Sequence, residues 1–446
     1  MPNKLVTIFS FVFLAITSAY AASPEQPNSV PVDQNAIKAI IEKANKGDAN
    51  AQFKLGVMYS IGKDVPQDYN EAIKWYRKTA EHGDASAQNR LGYIYYKGKG
   101  APQDYKEAIK WYRKAAEQGD ETAQKYLALM YSKGEGVPQD YNETFKWLKK
   151  TIEKETTPGM SILILQINLD VYWKDHNEVF KWLAETAKQG NAPSQFIVGL
   201  MYHTGRYVPQ DYNEAIKWYK EAAEQGDSTA QFYLGLIYFS DLGIPQDYNE
   251  AAKWFRKAAE QGIASAQFGL GFMYYNGEGV PKDYKEAFKW YTKAAKQENA
   301  PAQCFLCFMY YDGNGVPKDY KEAFKWCTKS AKQEIAAAQF YLGLMYQKGK
   351  GVIEDYEEAF KWYTKAAERG FASAQNNLAV MYAAGQGVKE DYVEAYKWAL
   401  LAGMNNADVA EIKKHIAAGM TPSQIAEAQK LAKEFVKQQE REKKEK

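Results

Sequence analysis

Histidine and cysteine are scarce in this chain. Four His and three Cys in 446 residues are too few and too scattered for zinc modules or a disulfide framework. No metal ligand set or cofactor motif is therefore expected. Beyond the first residues, no run reaches the ~18 apolar residues that a membrane-spanning helix needs. Neither sign of charge dominates: 57 Lys+Arg stand against 55 Asp+Glu, a formal net charge of +2. A dedicated nucleic-acid binder needs a basic surplus to displace phosphate counterions, so nucleic acid is not an expected partner. Period-2 strand runs are missing too, which excludes propeller blades. What the chain does have is aromatic residues, 15% in all, with 34 Tyr and 11 Trp. That richness suggests one aromatic unit used many times.

The N-terminus reads as a secretory signal. Lys4 supplies a short positive region, residues 5–16 an apolar stretch, and Ala19-Tyr20-Ala21 a cleavage site. Cleavage is expected after Ala21, followed by a disordered linker over 22–36. The mature chain is then expected to be periplasmic or secreted, with no membrane span left after cleavage.

Tryptophan marks the period of the rest. It falls at 75, 111, 147, 182, 218, 254, 290, 326, 362 and 398, always 36 apart except for one gap of 35, and only Trp173 is out of register. A fixed period of this length means a solenoid, propeller or array. In the first copy, Ala51, Leu55, Met58 and Tyr59 make a helical stripe (helix A), and Ala72, Trp75 and Thr79 make a second (helix B). Gly62 ends helix A, and later copies read Gly-x-Gly there, as at Gly98/Gly100 and Gly277/Gly279. The expected fold is an all-α, α/α superhelical solenoid of 36-residue helix-turn-helix repeats over 37–406.

Each helix B opens with an Asp and a Glu three residues on, from Asp68/Glu71 to Asp391/Glu394, in all ten copies. This pattern fits a capping box. A catalytic carboxylate pair would occur once rather than ten times. The Glu is followed three residues later by Lys, an i,i+3 surface pair. The fourth copy, 156–190, is degenerate: it lacks the Gly-x-Gly loop and is expected to be the weak joint. Residues 407–446 are read as capping helices and a charged tail, with Thr421-Pro422-Ser423-Gln424 as a capping box.

The unit Ala-x-Ala-Gln-x-x-Leu-Gly-x-x-Tyr, then Gly-x-Gly-Val-Pro-x-Asp-Tyr-x-x-Ala-x-x-Trp-Tyr-x-x-Ala-Ala-x-x-Gly, resembles the Sel-1-like repeat (SLR) family, relatives of tetratricopeptide repeats. The resemblance covers roughly residues 48–434. It implies a solenoid that serves as an adaptor for other macromolecules, in bacteria often exported and tied to envelope functions or host interaction. A cysteine-rich subgroup of that family links the helices of each repeat by a disulfide. Here Cys304, Cys307 and Cys327 all lie in copy eight and do not match that pattern. Cys307 occupies the Gly56 position and Cys327 the Tyr76 position, on facing helices, so a bridge between them is open in an oxidising compartment.

Gln52 and its equivalents are expected to hydrogen-bond between adjacent units. The Trp stripe is read as core, and the four His lie in different units with no catalytic arrangement, so no enzyme activity is expected. The expected function is an exported scaffold for a protein or peptide partner, acting as a monomer. The competing class is an enzyme acting on envelope glycan or peptidoglycan. Positions 53, 57 and 60 of helix A are read as facing away from helix B, on the concave side. There Phe196, Phe232, Phe239, Phe268, Phe272, Tyr275, Phe308, Tyr311 and Phe340 form an aromatic set, from which Phe196, Phe232, Phe239, Phe268, Tyr275, Tyr311 and Phe340 are taken as partner-binding candidates; the competing reading is that these rings pack between adjacent units, as position 57 mostly does.

Overall fold

The structure is a computed structural model that describes residues 34–154, 176–241, 243–405 and 407–445. The proposed signal segment, most of the linker and the degenerate stretch 156–175 lie outside the described residues. The chain divides into two compact units. One comprises Pro24–Leu234 with Leu242–Ile244, the other Gly235–Asp241 with Pro245–Lys446.

The first unit holds α1 (Gln34–Asn45), α2 (Ala49–Ile61), α3 (Tyr69–Glu81), α4 (Ala85–Lys97), α5 (Tyr105–Glu117), α6 (Glu121–Lys133) and α7 (Tyr141–Lys154). After the undescribed stretch come α8 (His176–Lys188), α9 (Ala192–Thr204) and α10 (Tyr212–Glu224). The division falls within α11 (Ser228–Phe239). The second unit continues with α12 (Tyr248–Glu260), α13 (Ala264–Asn276), α14 (Tyr284–Lys296), α15 (Ala300–Asp312), α16 (Tyr320–Lys332), α17 (Ala336–Gln347), α18 (Tyr356–Glu368), α19 (Ala372–Ala384) and α20 (Tyr392–Met404). It closes with α21 (Ala410–Ala418) and α22 (Pro422–Glu445). Every described element is a helix, so the expected all-α solenoid of helix-turn-helix repeats is what the chain forms.

The Asp N-caps are as expected: Asp68 accepts from the backbone N–H groups of Asn70 and Glu71. The reciprocal half of the box is different. The Asp68 N–H is taken by the Tyr59 carbonyl of helix A, and the same bond recurs from Asp283 to Tyr274. The Glu is thereby released for other work. Glu71 pairs with Lys74 at 3.0 Å, and Glu143 and Glu250 accept the indole N–H of Trp147 and Trp254 at 3.1 Å. A full box does form at the last helix, where Thr421 and Gln424 bond reciprocally.

The two glycines of the loop do different jobs, as α13 shows. Gly277 caps it in the left-handed region at φ 78°. A Cβ on Gly279 would lie 2.0 Å from the carbonyl oxygen of Tyr248 in the preceding repeat, so only glycine lets the loop dock there.

Gln52 and its equivalents tie repeat to repeat. The Gln88 amide donates to the Ala80 carbonyl of the preceding helix B at 3.0 Å, while its carbonyl accepts from Gln118 of its own helix B at 2.8 Å. Gln267 does the same with Ala259 and Gln297. At one end, α1 lays Ile37, Ile40 and Ile41 on the core of Leu55, Met58 and Trp75. At the other, Ile416, Ala432 and Phe435 close over Ala395, Trp398 and Ala399.

Candidate partner-binding face

Helix A meets helix B at one recurring slot. Gly56 has no side chain, and a Cβ there would come 2.6 Å from the Tyr76 ring. The ring therefore lies flat over Gly56. Gly92 with Tyr112, Gly199 with Tyr219, Gly271 with Tyr291 and Gly343 with Tyr363 repeat the arrangement. These tyrosines are among the most completely buried side chains.

This slot corrects the assignment of positions 53 and 60. They do not stand opposite helix B; they flank its ring. Phe53 sits 5.7 Å from Tyr76, Phe196 5.5 Å from Tyr219, Phe268 5.7 Å from Tyr291 and Phe340 5.7 Å from Tyr363. Because position 56 carries no side chain, the ring slides between the residues one turn before and one turn after it. Position 60 then meets the buried phenol. Ser60 lies 3.2 Å from the Tyr76 hydroxyl, His203 Nδ1 3.4 Å from that of Tyr219, and Tyr363 donates to Gln347 at 2.8 Å. Where helix B carries Phe255, position 60 is Phe239, and the two rings lie 6.2 Å apart. Position 60 is thus polar beside the phenols of Tyr76, Tyr219 and Tyr363 and aromatic beside Phe255.

Burial sorts the candidates. Phe196, Phe232, Phe239 and Phe268 are buried, none more than 9% exposed. Tyr275, Tyr311 and Phe340 are half-buried. Phe196 and Phe232 belong to the first unit and the other five to the second. Within the second unit a ring-on-ring strip runs across repeats seven to nine. Phe305 lies 5.0 Å from Tyr291 and 5.6 Å from Tyr275, Phe308 4.4 Å from Tyr341, and Tyr311 5.5 Å from Tyr341. Phe272, Phe305, Phe308 and Tyr341 are half-buried like Tyr275 and Tyr311.

Phe305 and Tyr341 were not among the residues singled out from sequence. They sit at position 54, one residue after the Phe53 position, and reach back onto the previous repeat. The signal was available: Tyr126 and Tyr233 occupy the same position, Tyr126 stacking on Tyr112 and Tyr233 lying 5.7 Å from Tyr219 at a tilt.

The rim of the strip is polar. Lys350 donates to the Tyr311 hydroxyl at 3.2 Å and stands 4.8 Å above the rings of both Tyr311 and Tyr320. This bond raises the Lys350 pKa. Burial raises the phenol pKa of Tyr275 and Tyr341, so both stay neutral donors at ordinary pH. Asp312 is exposed beside them. Among the described residues no group of His, Cys, Asp and Glu is arranged to hold a metal ion. No helix among them is long and apolar enough to cross a membrane. Cys307 and Cys327 form a disulfide, and Cys304 is a buried free thiol whose pKa burial pushes up.

Comparison with known proteins places this geometry. A family model described as Sel1 repeat matches residues 49–84, 85–120, 122–155, 192–227, 228–263, 264–299, 300–334, 336–371 and 372–406. The chain belongs to the Sel1 repeat family. The stretch between 155 and 192 is not among the matched segments, in keeping with its degenerate sequence. A similar solved structure is c5321, described as a protective antigen present in uropathogenic Escherichia coli strains and displaying an SLR fold. It is 35% identical, with a TM-score of 0.59, over 90% of this chain and 87% of that one. Another is a Sel1 repeat protein from Oxalobacter formigenes, 32% identical over 53% of this chain and 100% of that one, with a TM-score of 0.46. No curated protein matches the chain.

Proteins built of Sel1 repeats are in general scaffolds for protein–protein interaction. In these repeats the Trp stripe is structural. Trp75, Trp111, Trp147, Trp254, Trp290 and Trp398 are buried. A lysine three residues on covers the indole, as Lys293 does over Trp290 at 4.0 Å and Lys257 over Trp254 at 4.3 Å. Trp254 and Trp290 are thus buried with a lysine over one face.

Proposed function

We propose that this Sel1 repeat chain is an exported scaffold that holds a protein or peptide partner against helix A of repeats seven to nine. The observation that carries the reading is the half-exposed strip of Phe272, Tyr275, Phe305, Phe308, Tyr311 and Tyr341, with Lys350 and Asp312 at its rim. Rigid aromatics flanked by polar groups are the composition of binding hot spots. The backs of Phe272, Tyr275 and Phe305 are held by the buried rings of Phe268 and Tyr291, so these three lose little side-chain freedom on binding. In the proposed geometry this face is the concave one, and the chain acts as a monomer.

The envelope or a host interface is the proposed location. The signal-like segment 1–21 and the description of the similar c5321 protein as a protective antigen support it. An intact Met1 in the mass spectrum of the mature protein would refute export. The binding test is a pull-down from an envelope extract, comparing the wild-type chain with Phe308→Ala combined with Tyr311→Ala. A partner retained by wild type and lost by the variant, at an unchanged melting temperature, is the expected result. Equal recovery by both proteins would overturn the binding face.

A further inference from the structure

The near-zero net charge of the whole chain conceals an uneven distribution along the B helices. Residues 282–296 of repeat seven carry five lysines against two acids, and residues 318–332 of repeat eight carry the same. The corresponding stretch of repeat six, 246–260, has three cations and three acids. That of repeat nine, 354–368, has five acids and two lysines. Two adjacent helices are thus strongly basic, next to one that is acidic.

Spacing concentrates the charge further. Lys285, Lys289, Lys293 and Lys296 fall at i, i+4, i+8 and i+11, within about 80° of one another around α14. Lys321, Lys325, Lys329 and Lys332 do the same on α16. All eight are exposed. Trp326 of α16 packs on a core that Ala287, Tyr291 and Ala294 of α14 share with Ala302, Leu306 and Met309 of α15, and Lys329 of α16 lies 3.7 Å from Glu298 just past the end of α14.

Of the nearby acids, two cap the helices, three pair with lysines of the stripes and one pairs with repeat nine. Asp283 and Asp319 cap their helices, accepting from Lys285 and Lys321 backbone N–H groups at 2.8 and 2.9 Å. Glu286 pairs with Lys289, and Glu322 with Lys325. Glu298 lies 3.7 Å from Lys329, and Glu334 pairs with Arg369 of repeat nine. Lys285, Lys296, Lys321 and Lys332 form no ion pair among the described residues. These four set repeats seven and eight apart: repeat six has Asn249 and Glu260 where they have Lys285/Lys321 and Lys296/Lys332.

We propose that the B-helix face of repeats seven and eight binds a soluble, linear, phosphate-rich polyanion. The ligand chemistry follows from the surface. Lysine is a point charge suited to phosphate rather than to planar carboxylate. The lysine stripes lack the exposed aromatics on which nucleic-acid bases would stack, since Lys293 and Lys329 stand over the Trp290 and Trp326 indoles. A flat anionic bilayer would also meet the acidic helix of repeat nine, whereas a thin chain laid over two helices would not. This face is distinct from the aromatic strip on helix A, and its ligand is independent of the partner proposed there.

The test is binding of long-chain inorganic polyphosphate to the full chain across a salt series. The variant is Lys285→Asn, Lys296→Glu, Lys321→Asn and Lys332→Glu together, residues the fold already accepts in repeat six. Its affinity should fall at least tenfold at low salt, with a shallower dependence of affinity on salt and an unchanged melting temperature. If that variant melts early, Lys285→Asn with Lys321→Asn alone should still lower affinity about threefold. A control with the same charge change on the C-terminal helices, Lys413→Asn, Lys414→Glu, Lys430→Asn and Lys433→Glu, should bind like wild type. No binding by wild type, or equal loss in the control, would overturn the proposal. So would tighter binding to phosphatidylglycerol vesicles or to single-stranded DNA than to polyphosphate.

Discussion

Repeats seven and eight share a backbone design and fill its central slot in opposite ways. In repeat seven, Tyr291 lies over Gly271, where an added Cβ would meet the ring at 2.8 Å. In repeat eight both partners are cysteine, and Cys307 and Cys327 join with their Cα atoms 5.1 Å apart. The separation of 20 residues is the same in both. A glycine brings two helices close enough for a ring to lie flat between them. The same closeness puts two Cα atoms within disulfide range. The slot is therefore a property of the repeat geometry, and a ring or a covalent bond can each occupy it. Repeat eight gives up more than the ring, since Cys304 also replaces the phenylalanine seen at Phe268 and Phe340. With both rings gone, the disulfide joins α15 and α16 at that level.

The largest effect that would sharpen this contrast comes from reduction. Closing a loop of this length stabilises by about 3 kcal/mol in the chain-entropy account. Reductant should lower the melting temperature of the wild-type chain and leave that of Cys307→Ala with Cys327→Ala unchanged. A reductant effect that persists in the double variant would show that the bond is not the tie.

A smaller effect is expected at the far end of the slot in repeat five. His203 lies among the rings of Tyr212, Tyr219 and Tyr233. Burial holds its pKa down at about 4, against the ordinary 6.5. Between those values the unfolded chain binds more protons than the folded one, so stability rises with pH. It should be lost as pH falls from about 6.5 toward about 4, and level off below that. His203→Gln places there the residue that repeat nine already uses as Gln347. Melting temperatures measured from pH 4 to 7.5 should differ between the two proteins in slope on the acid side and converge near neutrality. Parallel curves would remove His203 as the cause.

The smallest effect compares two phenols in the same slot. The Tyr363 hydroxyl donates to Gln347, while that of Tyr291 is buried without a protein partner. Tyr363→Phe should cost about 1 kcal/mol, and Tyr291→Phe close to nothing, by denaturant unfolding. Equal costs would mean that position 60 does not serve the helix B ring.

Much of this was legible beforehand, for local reasons. The Trp period, the Asp caps and the Gly-x-Gly loop each depend on residues a few positions apart, and among the described residues each forms where the pattern put it. Gln52 and its equivalents could be read as links between units because a buried amide must find a partner. The assignment of positions 53 and 60 failed because a helical wheel treats every position as carrying a side chain. Gly56 carries none, and the Tyr76 ring enters through that gap. The capping box was half right for a similar reason: the Asp68 N–H is claimed by Tyr59, a residue on another helix. The basic stripes of α14 and α16 were hidden by an overall charge balance that sums over repeats of opposite sign.

By itself the sequence determined the repeat, its length, its two helices and their caps, because those follow from backbone hydrogen bonding and from periodicity within one unit. It also determined the even spacing that made a disulfide at Cys307 and Cys327 available. Tertiary structure decided which rings are sealed and which keep a surface. Phe268 and Phe340 occupy the same helix A position in repeats seven and nine, yet Phe268 is buried and Phe340 half-buried. The difference comes from what the neighbouring helices lay over each ring, and that is set by contacts between residues a whole repeat apart.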